Sequence, residues 1–503
     1  MRGLNARPAV ASRRPLNARR TEALLLAFAL AIVVYGYAVA GLALTGELPA
    51  GLAGFAASQL CLGLVAHLAV RRFAPYADPL VLPLAFLLTG LGLVLIQRLD
   101  HAYAKRFDSA PASGGQLLWT VLAVAAAVVV LWALRDYRQL QRYLYVTMAA
   151  SLVLLMAPAF FPGDTYGAKR WVYLGPLSFQ PGEFAKVGIV VFFAGFLVLH
   201  RDGLACTGRR VLGMTLPHGR QIGPIVTVWL LSLLILVFER DLGTSLLFFG
   251  VFVALLYIAT ERTGWVACGI AMTLVGAAAV GASEPHVHGR IVAWLHPFDI
   301  YLPADQRPAG LVSDQAAEAL FGFGSGGVTG TGLGQGHPEL IGFAGRSDFI
   351  LTTIGEELGL AGTMAVLMLY ALLVARGFRT AIACGNPFGK LLAAGLSVVL
   401  AFQVFIITAG VTGLMPFTGK ALPFLAQGGS SMVANWLLIA LLLAVSHQAR
   451  RDGAPERQPS YDTYDTYGSG GDRPRGGDHP ETVDGGGGEH RLVQVGQGQP
   501  GDR

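Results

Sequence analysis

"LLWTVLAVAAAVVVLWAL", residues 117–134, carries no charged side chain along its whole length. A helix rises about 1.5 Å per residue, so such a run nearly spans the ~30 Å hydrocarbon layer of a bilayer. "ALLLAFALAIVVYGYAVAGLAL" at 23–44 does the same. Both runs are continuously apolar, whereas a membrane barrel strand would alternate. With 53% hydrophobic and 14% charged residues and a mean hydropathy of +0.55, the whole chain follows this pattern. Soluble domains carry about a quarter charged residues. In lipid an open sheet leaves backbone groups unsatisfied, so the reading is an all-α polytopic membrane protein.

Twelve apolar segments can be placed, from 23–45 through 222–238 to 426–447. The first is too long for a signal-peptide core and is read as a retained helix. With the N-terminus inside, roughly twice as many Lys and Arg fall on cytoplasmic as on outer pieces, so both ends are expected to be cytoplasmic. The expected organisation is a basic N-tail (1–22), two additional N-terminal helices (23–78), a core (79–448) with a large outer loop (284–349), and a Gly-, Asp- and Arg-rich tail (449–503). That tail is too polar to bury a core. Four cysteines, at 61, 206, 268 and 384, show no metal-ligand spacing and no disulfide framework.

In this orientation the unusual polar residues gather on one side. They lie in "PGDTYGAKRWVYLGPLSFQPGE" (162–183), "ERDLGT" (239–244), "GFGSGGVTGTGLGQG" (322–336), "GRSDFILTTIGEELGL" (345–360) and "GLMPFTGKALPFLAQGGSS" (413–431). Transporters more often hold such groups at mid-membrane, so one-sided clustering favours a reaction at one leaflet.

Each candidate has a bland reading beside the chemical one. Lys169 and Arg170 could grip phosphate, or anchor a helix beside an interfacial Trp171. Glu183 and Lys186 stand three apart and can meet on one helix face, as a structural pair or a substrate contact. Asp241 fits a helix cap. The glycine run lacks the strand and "GK[ST]" of a nucleotide loop, and offers an anion nest or plain flexibility. His286 and His288 are weak metal candidates. Asp348 is either an N-cap or an ionised general base at the mouth of a helix.

"KRWVYLGPLSFQPGEFAK" (169–186) resembles the "RRW..LG..SFQPSE.AK" signature of the SEDS family (shape, elongation, division and sporulation), the RodA/FtsW/SpoVE proteins. So do "DLGTSL", the "R...WL.P" stretch from Arg290 to Pro297, "GSGG..G.GLGQG", "DFI...IGEELGL" and "G..P.TG..LPF...GGSS". They stand in the family's order across residues 79–448. Gly182 replaces the usual Ser, "LAQGGSS" replaces "ISYGGSS", and Lys420-Ala421 is unusual. The added helices, basic leader and Gly-rich tail look like the actinobacterial branch.

The resemblance implies a ten-helix core and peptidoglycan glycosyltransferase activity, polymerising lipid II for cell elongation or division. It also implies work beside a class B penicillin-binding protein and other divisome or elongasome proteins, with no nucleic-acid partner. Asp348 matches the family's essential aspartate by its "DFI" context. As base it would take a proton from the acceptor's 4-hydroxyl while lipid pyrophosphate leaves with inversion. One carboxylate suffices, unlike glycoside hydrolysis. Candidate substrate contacts are Lys169, Arg170, Trp171, Gln180, Glu183, Lys186, Asp241, Arg290, Gln315, Arg346, Lys420, Ser430 and Ser431. No cofactor and no metal ligand are assigned, though a divalent ion (Mg or Mn) could neutralise the pyrophosphate. Glu356 is expected to hold the bundle's polar network. A lipid II flippase and a non-catalytic scaffold are the alternatives.

Overall fold

The computed structural model describes residues 15–160, 171–174, 177–204, short pieces between 210 and 234, 241–311 and 313–452. Its helices are α1 (Pro15–Thr45), α2 (Leu52–Phe73), α3 (Val81–Phe107), α4 (Ser113–Ala133), α5 (Leu144–Phe160), α6 (Pro181–Leu204), α7 (Leu242–Thr260), α8 (Thr263–Ser283), α9 (Pro285–Leu295), α10 (Gln315–Gly326), α11 (Ile350–Ala383), α12 (Pro387–Val411) and α13 (Gly429–Asp452). Among the described residues eleven helices are long and apolar enough to cross a membrane. They match eleven of the twelve expected segments, and 222–238 lies largely outside the described residues. Two very short antiparallel hairpins, Val172–Leu174 with Leu177–Phe179 and Arg210–Val211 with Met214–Thr215, decorate loops without altering the helical class.

α13, α3 and α12 are the inner staves, with 89%, 83% and 78% of their apolar windows buried; α5, at 17%, faces the surroundings. α13 packs on α4, α5 on α6, α11 on α12, and α1 along α3. Close approach is allowed by small residues. A Cβ at Gly92 of α3 would stand 2.4 Å from the carbonyl oxygen of Leu425, so the 412–428 loop folds down onto that helix.

The first helix begins earlier than expected, at Pro15, so the end of the basic leader is helical. The cause is ionic: Arg19 pairs with Glu22 one turn on and donates to the carbonyl of Ala77 in the α2–α3 turn. In the same turn Asp78 pairs with Arg450 near the end of α13.

α11 is broken at Gly359, where φ is +68° and ψ −171°. A break frees backbone groups that must be satisfied elsewhere. Here the glycine-rich segment after α10 satisfies them. Leu360 and Ala361 N–H donate to the carbonyls of Gly327 (2.9 Å) and Val328 (3.0 Å). In return Thr331 and Gly332 N–H donate to the carbonyls of Glu356 (2.9 Å) and Glu357 (3.0 Å). Side chains at Gly326 or Gly330 would strike the α11 backbone, at 1.9 Å from Gly355 O and 2.2 Å from Glu357 O. The glycines are there for contact.

Candidate functional site at one end of the bundle

The N-terminal ends of α4, α6, α7, α11 and α13 and the C-terminal ends of α3 and α12 meet at one end, laced together by side chains. Glu183 and Lys186, on the first turns of α6, face inward and pair at 2.8 Å. Lys186 Nζ also donates to Gln403 Oε1 of α12 (3.0 Å) and Asn435 Oδ1 of α13 (2.9 Å). Lys420, from the 412–428 loop, places its Nζ 2.9 Å from Asp241 Oδ2 and 3.8 Å from Glu183 Oε1. The order Lys186–Glu183–Lys420–Asp241 alternates in sign and sums to zero. All four are buried, at 2%, 4%, 7% and 1% exposure. Buried charge is tolerable when so balanced and hydrogen-bonded.

Asp241 is at once a cap and a counter-ion. Its Oδ1 accepts from Thr244 N at 3.0 Å and its Oδ2 from Thr244 Oγ1 at 2.8 Å. The glycine of "DLGT" has a steric reason, since a Cβ at Gly243 would lie 2.5 Å from Lys420 Cγ. Only glycine lets the lysine cross the start of α7. Lys420, unusual by comparison with the signature, thus links two buried carboxylates. Gly182, the other departure, is undemanding: a Cβ there would make ordinary contact with Leu155 at 3.8 Å.

The same loop is tied to the remaining candidates. Arg290, buried on α9, donates to Thr418 O at 2.8 Å and lies over the Phe417 ring. Gln427 N–H donates to Arg346 O at 2.8 Å, and Gly428 N–H to Gln116 Oε1 at 3.0 Å. Ser430 Oγ accepts from Gln180 N–H (2.9 Å), and Ser431 Oγ from Asn435 Nδ2 (3.2 Å). Phe424, within the loop, adopts φ +66°, a costly conformation for a bulky residue held by its surroundings.

Asp348 lies in the turn that opens α11, where the cap position itself falls to Phe349. It is half-buried, and Ser347 Oγ donates to its Oδ1 at 2.7 Å. Phe349 packs on Phe417, ring centroids 5.9 Å apart, which brings Asp348 to the loop that carries Lys420. Arg346, two residues away, reaches Asp100 Oδ1 at 3.1 Å and lies over the rings of Tyr103 and Phe343. Gln315 opens α10. Its neighbour Ala316 lines a small apolar cavity of about 20 Å³ together with Trp294, Phe349 and Phe417. Trp171 is half-buried just before the first hairpin. Lys169 and Arg170 lie outside the described residues, as does the side chain of His286. His288 is exposed, and among the described residues no group of three or more His, Cys, Asp or Glu could hold a metal ion.

The two adjacent glutamates of α11 serve the interlock. Glu356 Oε1 accepts from His337 N–H (2.6 Å) and Glu357 Oε2 from Gly334 N–H (3.1 Å). N–H groups of the glycine run are therefore taken up within the protein, Gly334 by the Glu357 carboxylate and Thr331 and Gly332 by backbone carbonyls of α11. The ion pair falls to Glu357, fully buried against Arg98 of α3, rather than to Glu356. Sequence reasoning missed Gln403, Asn435, Arg98 and Asp100. For Gln403 and Asn435 the available signal is a polar amide inside an apolar helix, which is a functional candidate by default.

Residues 79–451 match the FtsW/RodA/SpoVE family of cell cycle proteins. The chain belongs to this family. It is 44% identical over 447 residues to the peptidoglycan glycosyltransferase RodA of Mycobacterium tuberculosis (strain ATCC 25618 / H37Rv), spanning 88% of this chain and 93% of that one. It is 31% identical to a probable peptidoglycan glycosyltransferase FtsW of Geobacter metallireducens, spanning 75% and 96%. Among solved structures, a chain of a peptidoglycan synthase complex that coordinates polymerization and crosslinking superposes with a TM-score of 0.55 at 25% identity, covering 74% of this chain and 98% of its own. The rod-shape-determining RodA of Thermus thermophilus shares the fold, with a TM-score of 0.50 at 23% identity and coverage of 74% and 97%. The family region begins just before α3, so α1 and α2 precede it.

Proposed function

We propose that Asp348 is the general base of a lipid II polymerase. The activity follows from kinship: the chain is a multi-pass membrane peptidoglycan glycosyltransferase, like the RodA relative it spans almost completely. The observation that carries the residue assignment is placement. Asp348 is a half-buried carboxylate at the rim where the other described candidates converge, held by Ser347 and beside Phe349, which packs on Phe417 of the Lys420 loop. Glu183 and Asp241, by contrast, are sealed in ion pairs.

In this reading the end of the bundle that bears Asp348 faces outward, and both chain termini face the cytoplasm. The acceptor's 4-hydroxyl is set against the Asp348 carboxylate, which takes its proton as the oxygen attacks the donor's anomeric carbon. The bond to the lipid pyrophosphate breaks on the opposite face, and configuration inverts. Pyrophosphate leaves as an anion and needs positive charge rather than an acid. Lys169, Arg170 and Arg346 would supply it. Any Mg²⁺ or Mn²⁺ would arrive held largely by phosphate oxygens, as small hard cations usually are. Gln180, Ser430 and Ser431 shape the neighbouring wall. A class B penicillin-binding protein is the proposed partner, supported by the synthase complex among the solved relatives.

Purified chain given lipid II should form glycan strands, and Asp348→Ala or Asp348→Asn should polymerise about 10²-fold more slowly or worse while keeping the wild-type thermal midpoint. Polymerisation at the wild-type rate by either variant would defeat the assignment. Transbilayer movement of labelled lipid II without polymer would favour a flippase instead.

A further inference from the structure

We infer that the added helix α1 is a positioning element for the catalytic end, acting through the glycine-rich loop. The inference rests on the reading of Asp348 above. The loop is poorly equipped to hold itself: Gly330, Gly332 and Gly334 sit at φ +85°, +107° and +86°, and none has a side chain to pack. Glycine in such conformations gains most freedom when released. One side of the loop is fastened to the break in α11. The other side rests on α1.

Two independent contacts show this. Leu333 packs on a cluster formed by Val33, Tyr37 and Ala40 of α1 with Val94 of α3, to which Phe55 of α2 adds its ring. At Gly334 a Cβ would stand 3.0 Å from Ala43 Cβ and 3.1 Å from Ala40 O, so backbone lies directly on helix. Tyr37 is itself fixed, stacked on Phe55 at 4.2 Å and bonded through its hydroxyl to Gln97 of α3.

The contact continues to the rim. Gly334 N–H is bonded to Glu357, Glu357 is paired with Arg98, and Arg98 is 3.4 Å from Glu339 and also donates to Gly336 O. Glu339 belongs to the 3₁₀ segment Pro338–Arg346, whose last residue precedes Ser347 and Asp348. Pressure applied at Ala43 is thereby delivered to the base and to Arg346 without either being touched. The family region starts at residue 79, so this support is an addition to the shared core.

The test is Ala43→Trp in the full-length protein, with Leu42→Trp as control: both residues are exposed on α1, but Ala43 is the one whose Cβ lies against Gly334. Ala43→Trp should lower kcat for lipid II polymerisation about tenfold or more, with KM within about twofold, since small misplacements of reacting groups are costly. Its thermal midpoint should stay near wild type, and the amides of Thr331, Gly332 and Gly334 should lose hydrogen-exchange protection. Leu42→Trp should change none of these. Leu333→Ala, which removes the contact without adding bulk, should reproduce the effect if Ala43→Trp folds poorly. Retained protection with reduced kcat, or lost protection with unchanged kcat, would overturn the inference. The exchange readout does not depend on Asp348, so failure of the base assignment and failure of the α1 support are told apart.

Discussion

The two ends of the bundle bury charge for different purposes. At the end where α1 begins and α13 finishes, Glu22 is paired with Arg19 and lies 2.8 Å from His67 Nδ1, while Asp78 is paired with Arg450 and stands 3.8 Å from Arg376. Both carboxylates are buried, and apart from the Arg19–Glu22 pair within α1 their partners come from other helices. At the opposite end Glu183, Asp241 and Glu357 are sealed in the same way, yet Asp348 is left half-buried on the rim. An acid that only ties helices can be enclosed completely so long as its partners balance it. An acid that must receive a substrate proton needs access. On the proposed reading, the contrast sets the structural carboxylates apart from the proposed base by exposure rather than by charge.

The largest expected effect probes that separation directly. Asp348→Asn keeps size and polarity but cannot accept the proton, and should cost about 10²- to 10⁴-fold in polymerisation rate with the fold unchanged. Next comes the sealed network. Lys420→Met removes the buried cation 2.9 Å from Asp241 and 3.8 Å from Glu183, and should destabilise by about 3–5 kcal/mol. Thermal unfolding in detergent measures it. Adding Asp241→Asn should recover part of the loss, because the excess buried negative charge is then reduced. A Lys420→Met protein as stable as wild type would mean that the network is not what holds the loop.

At the opposite end Asp78→Asn should cost less, about 1–3 kcal/mol, since Arg450 and Arg376 remain partly exposed and can be solvated. The folded fraction should polymerise lipid II at the wild-type rate per molecule. A large drop in kcat there would erase the distinction between the two ends.

The helices were legible because lipid enforces them: an uncharged run such as 117–134 has no other stable form in a bilayer. Asp348, Glu183, Lys186 and Asp241 were legible as charged residues at helix mouths within recognisable motifs. The pairing pattern was not. That Lys420 would cross α7 over Gly243 depends on a close approach between segments far apart in sequence. The use of the glycine run was hidden for the same reason. Its partner is the break at Gly359, and nothing in "GEELGL" alone says that the helix opens there to exchange hydrogen bonds with residues 327–332. Nor does apolar patterning reveal that Leu333 rests on α1, since one more leucine in a greasy chain carries no address.

The smallest prediction concerns Gly182, where the family signature has serine. The position is in the first turn of α6, one residue before Glu183, and among the described residues a Cβ there meets only Leu155 Cδ2, at 3.8 Å. Helix interiors disfavour glycine by roughly 0.5–1 kcal/mol relative to alanine, but serine recovers only part of that and first-turn positions feel it less. Gly182→Ser should therefore shift stability by no more than about 0.5 kcal/mol and leave kcat unaltered. A marked change in KM for lipid II would have a specific meaning: the family's serine hydroxyl touches substrate, and this chain makes that contact with another group. The wall carrying Gln180, Ser430 and Ser431 would then belong to the binding surface, whereas a neutral result leaves those residues as its scaffold.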